Sequence, residues 1–314
     1  MSQPHHSSGE ATEGAPDLIA LLYETCIIGA SALMRHDQNV GSNTPDRIKA
    51  LAPTQKDPTD PRTVVTQADL ESERAIVAYL SGKLHCSFLS EEAGSIKPKR
   101  PSPFRAIVDS LDGSKNFLAG SLGLYAISIA LEHNGDLVAG AVALPRFNRA
   151  LIAERGRGVF LVTLDGTESP SSSHQLKIGG SEEVTLNRAR LYVSRGSGAA
   201  TSLLEAPLSD VLRNVTEGVN YGSCSVGLYS VALNSIDGLV VPKQRYWDFA
   251  AGLVIIEELG GHSAIWRSSW HDRALSPELA KADTTSYFDV VVSLNRKLLD
   301  SLVELIASAV GPKE

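Results

Sequence analysis

Two aspartates three residues apart carry the strongest chemical signal in the sequence. Asp109 and Asp112 follow an apolar run at 106–108, and Gly113 and Ser114 come next. Carboxylates that leave a buried strand through a glycine turn can point into one cavity, where their oxygens suit Mg²⁺. Free backbone N–H groups at a helix that begins near Ser114 would receive a phosphate. The same pattern also fits an Asx turn that caps a helix, and the motif alone leaves both interpretations open.

Further acidic residues stand at the ends of predicted elements. Glu91 and Glu92 follow the apolar run 86–89, where a solvated loop and a cation site are alternative interpretations. Asp69 lies at the beginning of a predicted helix, as an N-cap residue would. Asp248 follows a tryptophan at the start of an Ala/Gly-rich helix, either as a cap or as a ligand. Taken separately, none of these positions decides between a structural and a chemical role.

The composition indicates a folded protein without a strong electrostatic partner. The 314 residues include 29 Lys and Arg against 36 Asp and Glu, and the net charge of −7 gives no attraction to nucleic acid or to an anionic membrane.

Three cysteines are too few for a disulfide framework, which favours a cytoplasmic location. The most apolar stretch, 18–34, carries Glu24 and falls short of the ~20 apolar residues that a membrane span needs. Residues 1–16 lack signal-peptide features and are predicted to form a disordered tail.

The elements that would position these acids are predicted as an α+β half followed by an α/β half. In the first half, helices are predicted at about 17–35 and 66–84, and between them lies a long polar loop, 36–62, of the kind that forms lids. Strands are predicted at 86–89, 106–108, 125–131, 138–144 and 150–153. Asn134-Gly135 predicts a hairpin turn, so we expect helices packed on a largely antiparallel sheet.

The second half alternates between strand-like and helix-like segments. The predicted strands are 190–193, 238–241, 262–264 and 288–293, and the predicted helices are 200–204, 226–233, 249–259 and 296–310. This alternation predicts a mostly parallel sheet covered by helices. We place the change of domain near Pro145, which gives a metal- and phosphate-binding domain at 17–145 and an α/β domain at 146–314.

Three motifs occur in an order typical of one family. They are Ser-Glu-Glu at 90–92, Asp-Ser-Leu-Asp-Gly-Ser at 109–114 and Trp-Asp-Phe-Ala-Ala-Gly at 247–252. Over residues 16–310 the chain resembles the inositol monophosphatase family. That family lies within the lithium-sensitive, magnesium-dependent phosphatase superfamily, which also contains fructose-1,6-bisphosphatases and bisphosphate nucleotidases. The resemblance implies a layered α/β/α/β/α sandwich, a homodimer, and hydrolysis of a small phosphorylated metabolite with two to three Mg²⁺ ions.

The resemblance also implies roles for individual residues. The implied metal ligands are Glu91, Asp109, Asp112, Asp248 and the backbone carbonyl of Leu111. A third, weaker Mg²⁺ would lie near Glu91, and Asp69 would help to position it. Glu91 and Ser114 would orient and deprotonate the attacking water. Gly113 and Ser114 would bind the phosphate through their N–H groups, and Gly227 is assigned to substrate binding.

Departures from the family pattern concern the turn and the alcohol-binding side. Ser110 replaces the usual proline, which we expect to loosen the turn, and Ser114 replaces the usual threonine but keeps a hydroxyl. Val241 stands where inositol monophosphatases have an acid that contacts inositol hydroxyls. The metal and phosphate half of the pattern is therefore retained, whereas the alcohol-recognition half is not.

Basic residues near the motifs bear on the substrate. Lys115 follows the phosphate turn, and Lys243 and Arg245 lie shortly before Asp248. If these side chains face the cleft, they favour a substrate with a second anionic group; the alternative is that they are solvated loop charges. The first interpretation predicts loose specificity, in which a bisphosphorylated sugar or nucleotide is hydrolysed at least as well as inositol monophosphate.

Three other functions remain as alternatives. Two are enzymatic, a 3′(2′),5′-bisphosphate nucleotidase and a fructose-1,6-bisphosphatase. The third is an inactive regulatory or binding protein on the same fold. Clustered acids that bind no ion repel one another, so the retention of all the implied ligands argues against the third alternative.

Overall fold

The computed structural model describes residues 16–39, 44–56, 64–120, 123–167, 174–177, 184–195, 205–267 and 279–310. Two predictions therefore lie outside the described residues: the tail, apart from Pro16, and the helix at 200–204. The described residues form two large sheets and the helices that cover them.

The first sheet has eight strands and is largely antiparallel, as predicted. Its half of the chain contains α1 (Leu18–Asn39), α2 (Thr44–Leu51), β1 (Thr54–Gln55), β2 (Val64–Val65), α3 (Gln67–Lys83), β3 (Cys86–Ser90), β4 (Gly94–Ile96), β5 (Phe104–Asp112), α4 (Ser114–Ala119), β6 (Ala126–His133), β7 (Asp136–Leu144), β8 (Arg149–Glu154), β9 (Gly158–Thr163) and β10 (His174–Leu176). The strand order is β10-β9-β8-β7-β6-β5-β3-β4, and β3 and β5 form its parallel pair. Asn134 and Gly135 both have positive φ, at 54° and 91°, as the predicted β6–β7 hairpin turn requires.

The predicted loop at 36–62 is wrong in part, because α1 continues to Asn39 and α2 and β1 follow. Leu51 of α2 is fully buried. Arg47 is also buried, and its guanidinium donates to Asp37 Oδ1 at 2.7 Å and to the carbonyl of Phe117 at 2.8 Å. The contact with Phe117 joins residues 70 positions apart in the sequence, so the local composition does not indicate the helix.

The second sheet has five strands. Its half of the chain contains β11 (Arg190–Val193), α5 (Glu205–Asn214), β12 (Glu217–Val219), α6 (Cys224–Ala232), β13 (Gly238–Gln244), α7 (Tyr246–Glu258), β14 (His262–Arg267), β15 (Phe288–Ser293) and α8 (Arg296–Val310). The order is β12-β11-β13-β15-β14, and four strands run the same way. The prediction of a mostly parallel sheet fails at β15, which lies between β13 and β14 and is antiparallel to both. Strands β13 and β14 run in the same direction, and α7 forms the helical crossover that a connection between parallel strands needs.

The two sheets and their helices form the α/β/α/β/α sandwich that the sequence predicts. Helices α1 and α3 cover the outer face of the first sheet, α6 and α7 lie between the sheets, and α5 and α8 cover the outer face of the second sheet. Glycine lets α7 approach β7 closely, since a Cβ on Gly140 would lie 2.6 Å from the carbonyl oxygen of Ala251.

The change of sheet lies later in the chain than the predicted change of domain. Residues Pro145–Phe147 form a short 3₁₀ turn that joins the neighbouring strands β7 and β8. The first sheet continues to Leu176, and the second begins at Arg190. The predicted division at Pro145 therefore does not coincide with a change of sheet.

Over Leu18–Asp37, helix α1 is long and apolar enough to cross a membrane by length and composition alone. The apolar stretch considered from the sequence, 18–34, is shorter than this helix. In the fold, however, 61% of that window is buried. The helix packs against α3 and the first sheet, so its apolar side chains have partners within the protein.

Candidate active site

A cleft of about 300 Å³ lies where β3 and β5 end and where α4, α6 and α7 begin. The structure brings together these predicted residues along its walls: Glu91, Asp109, Leu111, Asp112, Gly113, Ser114, Lys115 and Asp248. The cleft is therefore acidic on one side and has the start of a short helix beside the acids.

The strand-turn-helix around Asp109 and Asp112 has the predicted form. The pairing of β5 with β6 shifts register between these two aspartates, which re-aims their side chains. Asp109 Oδ1 accepts a hydrogen bond from the N–H of Leu111 at 3.0 Å. Gly113 has φ of 98°, and a Cβ there would lie 3.1 Å from the carbonyl oxygen of Leu124, so a glycine is required at the turn.

The expected loosening of this turn by Ser110 is not what the structure shows. Ser110 is buried within β5, and its hydroxyl donates to the carbonyl of Asp69 at 3.0 Å. The hydroxyl of Ser72 donates in turn to the carbonyl of Ser110 at 3.3 Å. The serine therefore ties β5 to the first turn of α3.

Asp112 connects the first sheet to α6. Its Oδ2 accepts from the hydroxyl of Ser223 at 2.8 Å and from the N–H of Ser225 at 2.6 Å. Ser223 is the N-cap of α6 and accepts from the N–H of Val226. Ser223 was not predicted as a site residue; its one signal in the sequence is its position three residues before the start of the predicted helix.

Asp69 and Asp248 both occupy the third position of a helix rather than the cap. Asp69 Oδ2 accepts from the N–H and the hydroxyl of Thr66, at 2.8 and 2.5 Å, in a capping box. Its Oδ1 lies 2.8 Å from the hydroxyl oxygen of Ser114, so these two predicted site residues meet. Asp248 Oδ2 accepts from the N–H of Arg245 at 2.8 Å.

The turn after β3 places Glu91 at the cleft. Glu73, a buried residue of α3, accepts from the N–H groups of Glu92 and Ala93 at 3.0 and 2.6 Å, and thereby shapes this turn. The ammonium group of Lys56 contacts both glutamates and lies 2.7 Å from Glu91 Oε1. Neither Lys56 nor Glu73 was found from the sequence, because a loop lysine and a helix glutamate are common on protein surfaces.

The electrostatics of the acids reflect their burial. Burial raises the pKa of Asp109 and Asp248 well above the usual range and that of Asp112 to about 6, and repulsion between the carboxylates adds to the effect. Burial also raises the pKa of Glu92 to about 7, with a contribution from the charge of Glu91. A cation bound among these acids would therefore favour their ionised forms.

The donor set fits Mg²⁺. The carboxylates that line the cleft offer only oxygen ligands, which this ion prefers. In the described part of the chain, no three Asp, Glu, His or Cys side chains are close enough to hold one ion together. Mg²⁺ does not need such a cage, because it commonly takes one or two carboxylates and keeps several waters. No described residue donates a hydrogen bond to Asp109 Oδ2 or to Asp248 Oδ1, so these two oxygens are available to bind an ion.

Three predicted substrate residues do not line the cleft. Gly227 instead lets α6 approach the second sheet, since a Cβ there would lie 2.9 Å from Cγ of Tyr192. The guanidinium of Arg245 lies 3.5 Å from the ring centroid of Tyr287 and donates to the carbonyl of Ser286. Lys243 lies outside the cleft lining, and its N–H donates to Asp289. Neither Lys243 nor Arg245 lines the cleft in this structure, so the condition for a second anionic group to be bound by them is not met here.

The residue that stands in place of the substrate-contacting acid also lies outside the cleft lining. Val241 is fully buried in the core. The second-sheet side of the cleft is instead lined by uncharged residues, namely Tyr192, Ser194, Asn220, Gly222, Ser223, Cys224 and Gln244. No motif marks them, because they come from separate elements and are of common types.

The fold and this acidic cleft define a class of phosphatase-like α/β sandwiches, and comparison with known proteins identifies the family. The chain belongs to the inositol monophosphatase family, whose model matches residues 21–307. An inositol-1-monophosphatase of Mesorhizobium japonicum is 34% identical over 205 residues, which are 64% of this chain and 71% of that protein. Nus factor SuhB of Haemophilus influenzae is 29% identical over 227 residues, which are 71% and 78% of the two chains.

Solved structures agree on the fold. The extragenic suppressor protein SuhB of Bartonella henselae superposes with a TM-score of 0.71 and 23% identity over 93% of this chain and 98% of its own. The IMPase of Thermotoga maritima gives a TM-score of 0.68 and 23% identity over 94% of this chain and its full length. These similarities show that the sandwich is the fold of the family.

Proposed function

We propose that the protein is a Mg²⁺-dependent phosphomonoesterase that hydrolyses a small phosphorylated alcohol, such as inositol monophosphate or a related sugar phosphate. The observation that carries the proposal is the convergence of Asp109, Asp112, Asp248 and Glu91 on one cleft beside the start of α4. Membership of the inositol monophosphatase family supports the same reaction.

The side chains and N–H groups of the cleft have distinct tasks in this reaction. When bound, Mg²⁺ would neutralise charge on the phosphoryl group and acidify a water molecule. Gly113 is the N-cap of α4 and Ser114 is its first residue, so their backbone N–H groups have no acceptor within the helix and are placed to bind phosphoryl oxygens. The Ser114 hydroxyl, held 2.8 Å from Asp69 Oδ1, orients the water. The carboxylate of Glu91 accepts the proton of that water.

The lining of the cleft favours an alcohol over a second phosphate. Among the described residues that line it, Lys115 is the one with a positive charge. The opposite wall offers the amide of Gln244, the side chain of Asn220 and the hydroxyl of Tyr192, which hydrogen-bond to hydroxyl groups. A bisphosphate nucleotidase or fructose-1,6-bisphosphatase would need further cations there, and Arg245 is held elsewhere.

A substrate comparison tests the proposal. We would measure kcat/KM for inositol 1-phosphate, fructose 1,6-bisphosphate and adenosine 3′,5′-bisphosphate, with Mg²⁺ and after its removal by a chelator. We expect preference for inositol 1-phosphate and loss of turnover in the chelator. The Lys243→Ala/Arg245→Ala variant should keep the same order of substrates. A preference for either bisphosphate that this variant abolishes would contradict the proposed substrate class.

A second candidate is a regulatory role without catalysis, favoured by the similarity to Nus factor SuhB of Haemophilus influenzae. It predicts no hydrolysis of any of the three substrates at saturating Mg²⁺. The same assay therefore separates the two candidates.

A further inference from the structure

A second cavity, of about 450 Å³, lies at the β3–β4 edge of the first sheet and shares no residue with the acidic cleft. Its inner wall is apolar. Phe88 and Leu89 of β3 form its buried part, and Ile96, Pro98 and Pro101 continue the surface outward. Ser87, Ser95 and Ser102 also line the cavity, so it offers an apolar face for a ring system together with hydroxyls for polar groups of the same ligand.

The outer rim of this cavity is positively charged. Lys97, Lys99 and Arg100 line it and are exposed. Within the described part of the chain, no acidic side chain forms an ion pair with these three residues. Arg105, which also lines the cavity, is by contrast neutralised by Glu132 through contacts of 2.7 and 3.0 Å. Three cations that pair with no described acidic side chain, in a chain of net charge −7, favour the binding of an anionic group.

The segment that carries these cations contains several prolines and is hydrogen-bonded to neighbouring elements. It contains prolines at 98, 101 and 103, which restrict the backbone. The imidazole of His85 lies 3.1 Å from the carbonyl oxygen of Arg100, and the N–H of Asn134 donates to the carbonyl of Pro103 at 2.8 Å. The N–H of Phe104 donates to the hydroxyl of Ser102 at 3.0 Å. A fixed backbone lowers the entropy cost of binding a ligand at the rim.

We propose that this cavity is a binding site for an organic phosphate of the nucleoside diphosphate class. The base lies on the apolar wall formed by Phe88, Ile96 and the prolines, and the phosphates contact Lys97, Lys99 and Arg100. Arginine and lysine both pair well with phosphate oxygens, and the arginine fork adds bidentate contacts. Both parts of the ligand are needed, because neither the apolar wall nor the exposed rim is large alone.

We would titrate the full chain with ADP in a calorimeter. The buffer is depleted of divalent cations by a chelating resin, so that this site is tested separately from the cleft. Without metal ions the acidic cleft repels an anion, so binding reports on the basic cavity. We expect one ADP per chain. Pyrophosphate and adenosine should each bind at least about tenfold more weakly than ADP, a difference of about 1.4 kcal/mol, because each lacks one part of the ligand.

Charge variants identify the cavity. Lys97→Glu/Arg100→Glu should weaken ADP binding at least about tenfold, and Lys97→Ala/Arg100→Ala should weaken it less. The matched control is Lys49→Glu/Lys177→Glu, in which one exposed lysine lies on α2 and the other beyond β10, at the opposite edge of the sheet. This control should bind ADP with unchanged affinity. Absence of ADP binding, equal weakening by the control, or pyrophosphate binding as tight as ADP would each overturn the proposal.

Discussion

At the scale of single residues, Asp112 has a structural and a chemical task. Its carboxylate holds Ser223 and Ser225 at the start of α6, yet it lies buried beside other acids, so its charge costs free energy in the absence of ions. Its type and position were predictable from the sequence because strand, turn and helix follow one another within a few residues. The contact with α6 was not, since Ser223 lies 111 residues further along the chain.

The metal-free protein should lose stability as the pH rises. Burial raises the pKa of Asp112 from 3.8 to about 6, so the folded state binds more protons than the unfolded state between these values. The free energy of unfolding then falls as pH increases through this window, by on the order of 1–3 kcal/mol, and the raised pKa values of Asp109 and Asp248 extend the fall to higher pH. The change in stability can be measured by thermal unfolding at about pH 5 and about pH 8, with and without Mg²⁺.

The same argument predicts an effect of Mg²⁺ and identifies an acid that does not contribute. Mg²⁺ should reduce the difference, because it offsets the charges that cause it. Asp283, whose pKa is lowered to about 2 by hydrogen bonds from Thr285 and Ser286, is ionised in both states over this range and contributes no slope. Greater stability of the metal-free protein at the higher pH would contradict the prediction.

The variant Asp112→Asn should separate activity from stability. We expect kcat to fall at least ~10²-fold, because a charge that we propose holds Mg²⁺ is lost. The metal-free variant should nevertheless unfold at a higher temperature than the parent at neutral pH, since the repulsion falls and the amide oxygen still accepts from Ser225. The exposed acid Asp136 supplies the control, and Asp136→Asn should change neither quantity. Near-normal turnover of Asp112→Asn would show that the site assignment is wrong.

At the scale of elements, local patterns determined what the sequence could predict. The α4 turn and the β6–β7 hairpin were predicted because glycine and asparagine mark positive φ. Helix α2 was missed because Arg47 reaches Asp37 and Phe117 through the fold. The neutral wall of the cleft was missed for a similar reason, since its residues meet only when β11, β13 and α6 assemble.

The variant Gly113→Ala should destabilise the protein by about 1–3 kcal/mol, because the residue has φ of 98° and a Cβ would lie 3.1 Å from the Leu124 carbonyl oxygen. Urea unfolding measures the change. Gly82→Ala is the matched control, because no atom lies within 4 Å of its Cβ position at the end of α3, and we expect it to be neutral or stabilising by about 0.5–1 kcal/mol. An equal response of the two variants would refute strain at the turn.

At the scale of the whole molecule, one polar network joins the two halves of the sandwich. Glu132 of β6 accepts from Arg105 of β5 and from the hydroxyl of Tyr246, the first residue of α7, at 2.8 Å. Arg105 also donates to the carbonyl of Ala282, close to the second sheet. This network could not be predicted from the sequence, because its members are far apart and belong to no motif.

The variant Glu132→Ala should lower the free energy of unfolding by about 3–5 kcal/mol, because it leaves the partly buried Arg105 without its partner. Chemical denaturation gives the value. The exposed pair of Arg296 and Asp300 on α8 provides the comparison, and Asp300→Ala should cost at most about 1 kcal/mol. A loss for Glu132→Ala as small as that for Asp300→Ala would mean that the network does not hold the halves together.

The acids of the cleft come from the ends of β3 and β5 and from the start of α7, and this separation along the chain has a kinetic consequence. Contacts between residues so distant in sequence form late, after loop-closure entropy has been overcome by the cores of both sheets. A divalent ion held between carboxylates of two different elements therefore has no assembled site to bind in the folding transition state. Mg²⁺ should consequently slow unfolding and leave the folding rate nearly unchanged, so that the ion prolongs the lifetime of the native state without guiding the chain toward it.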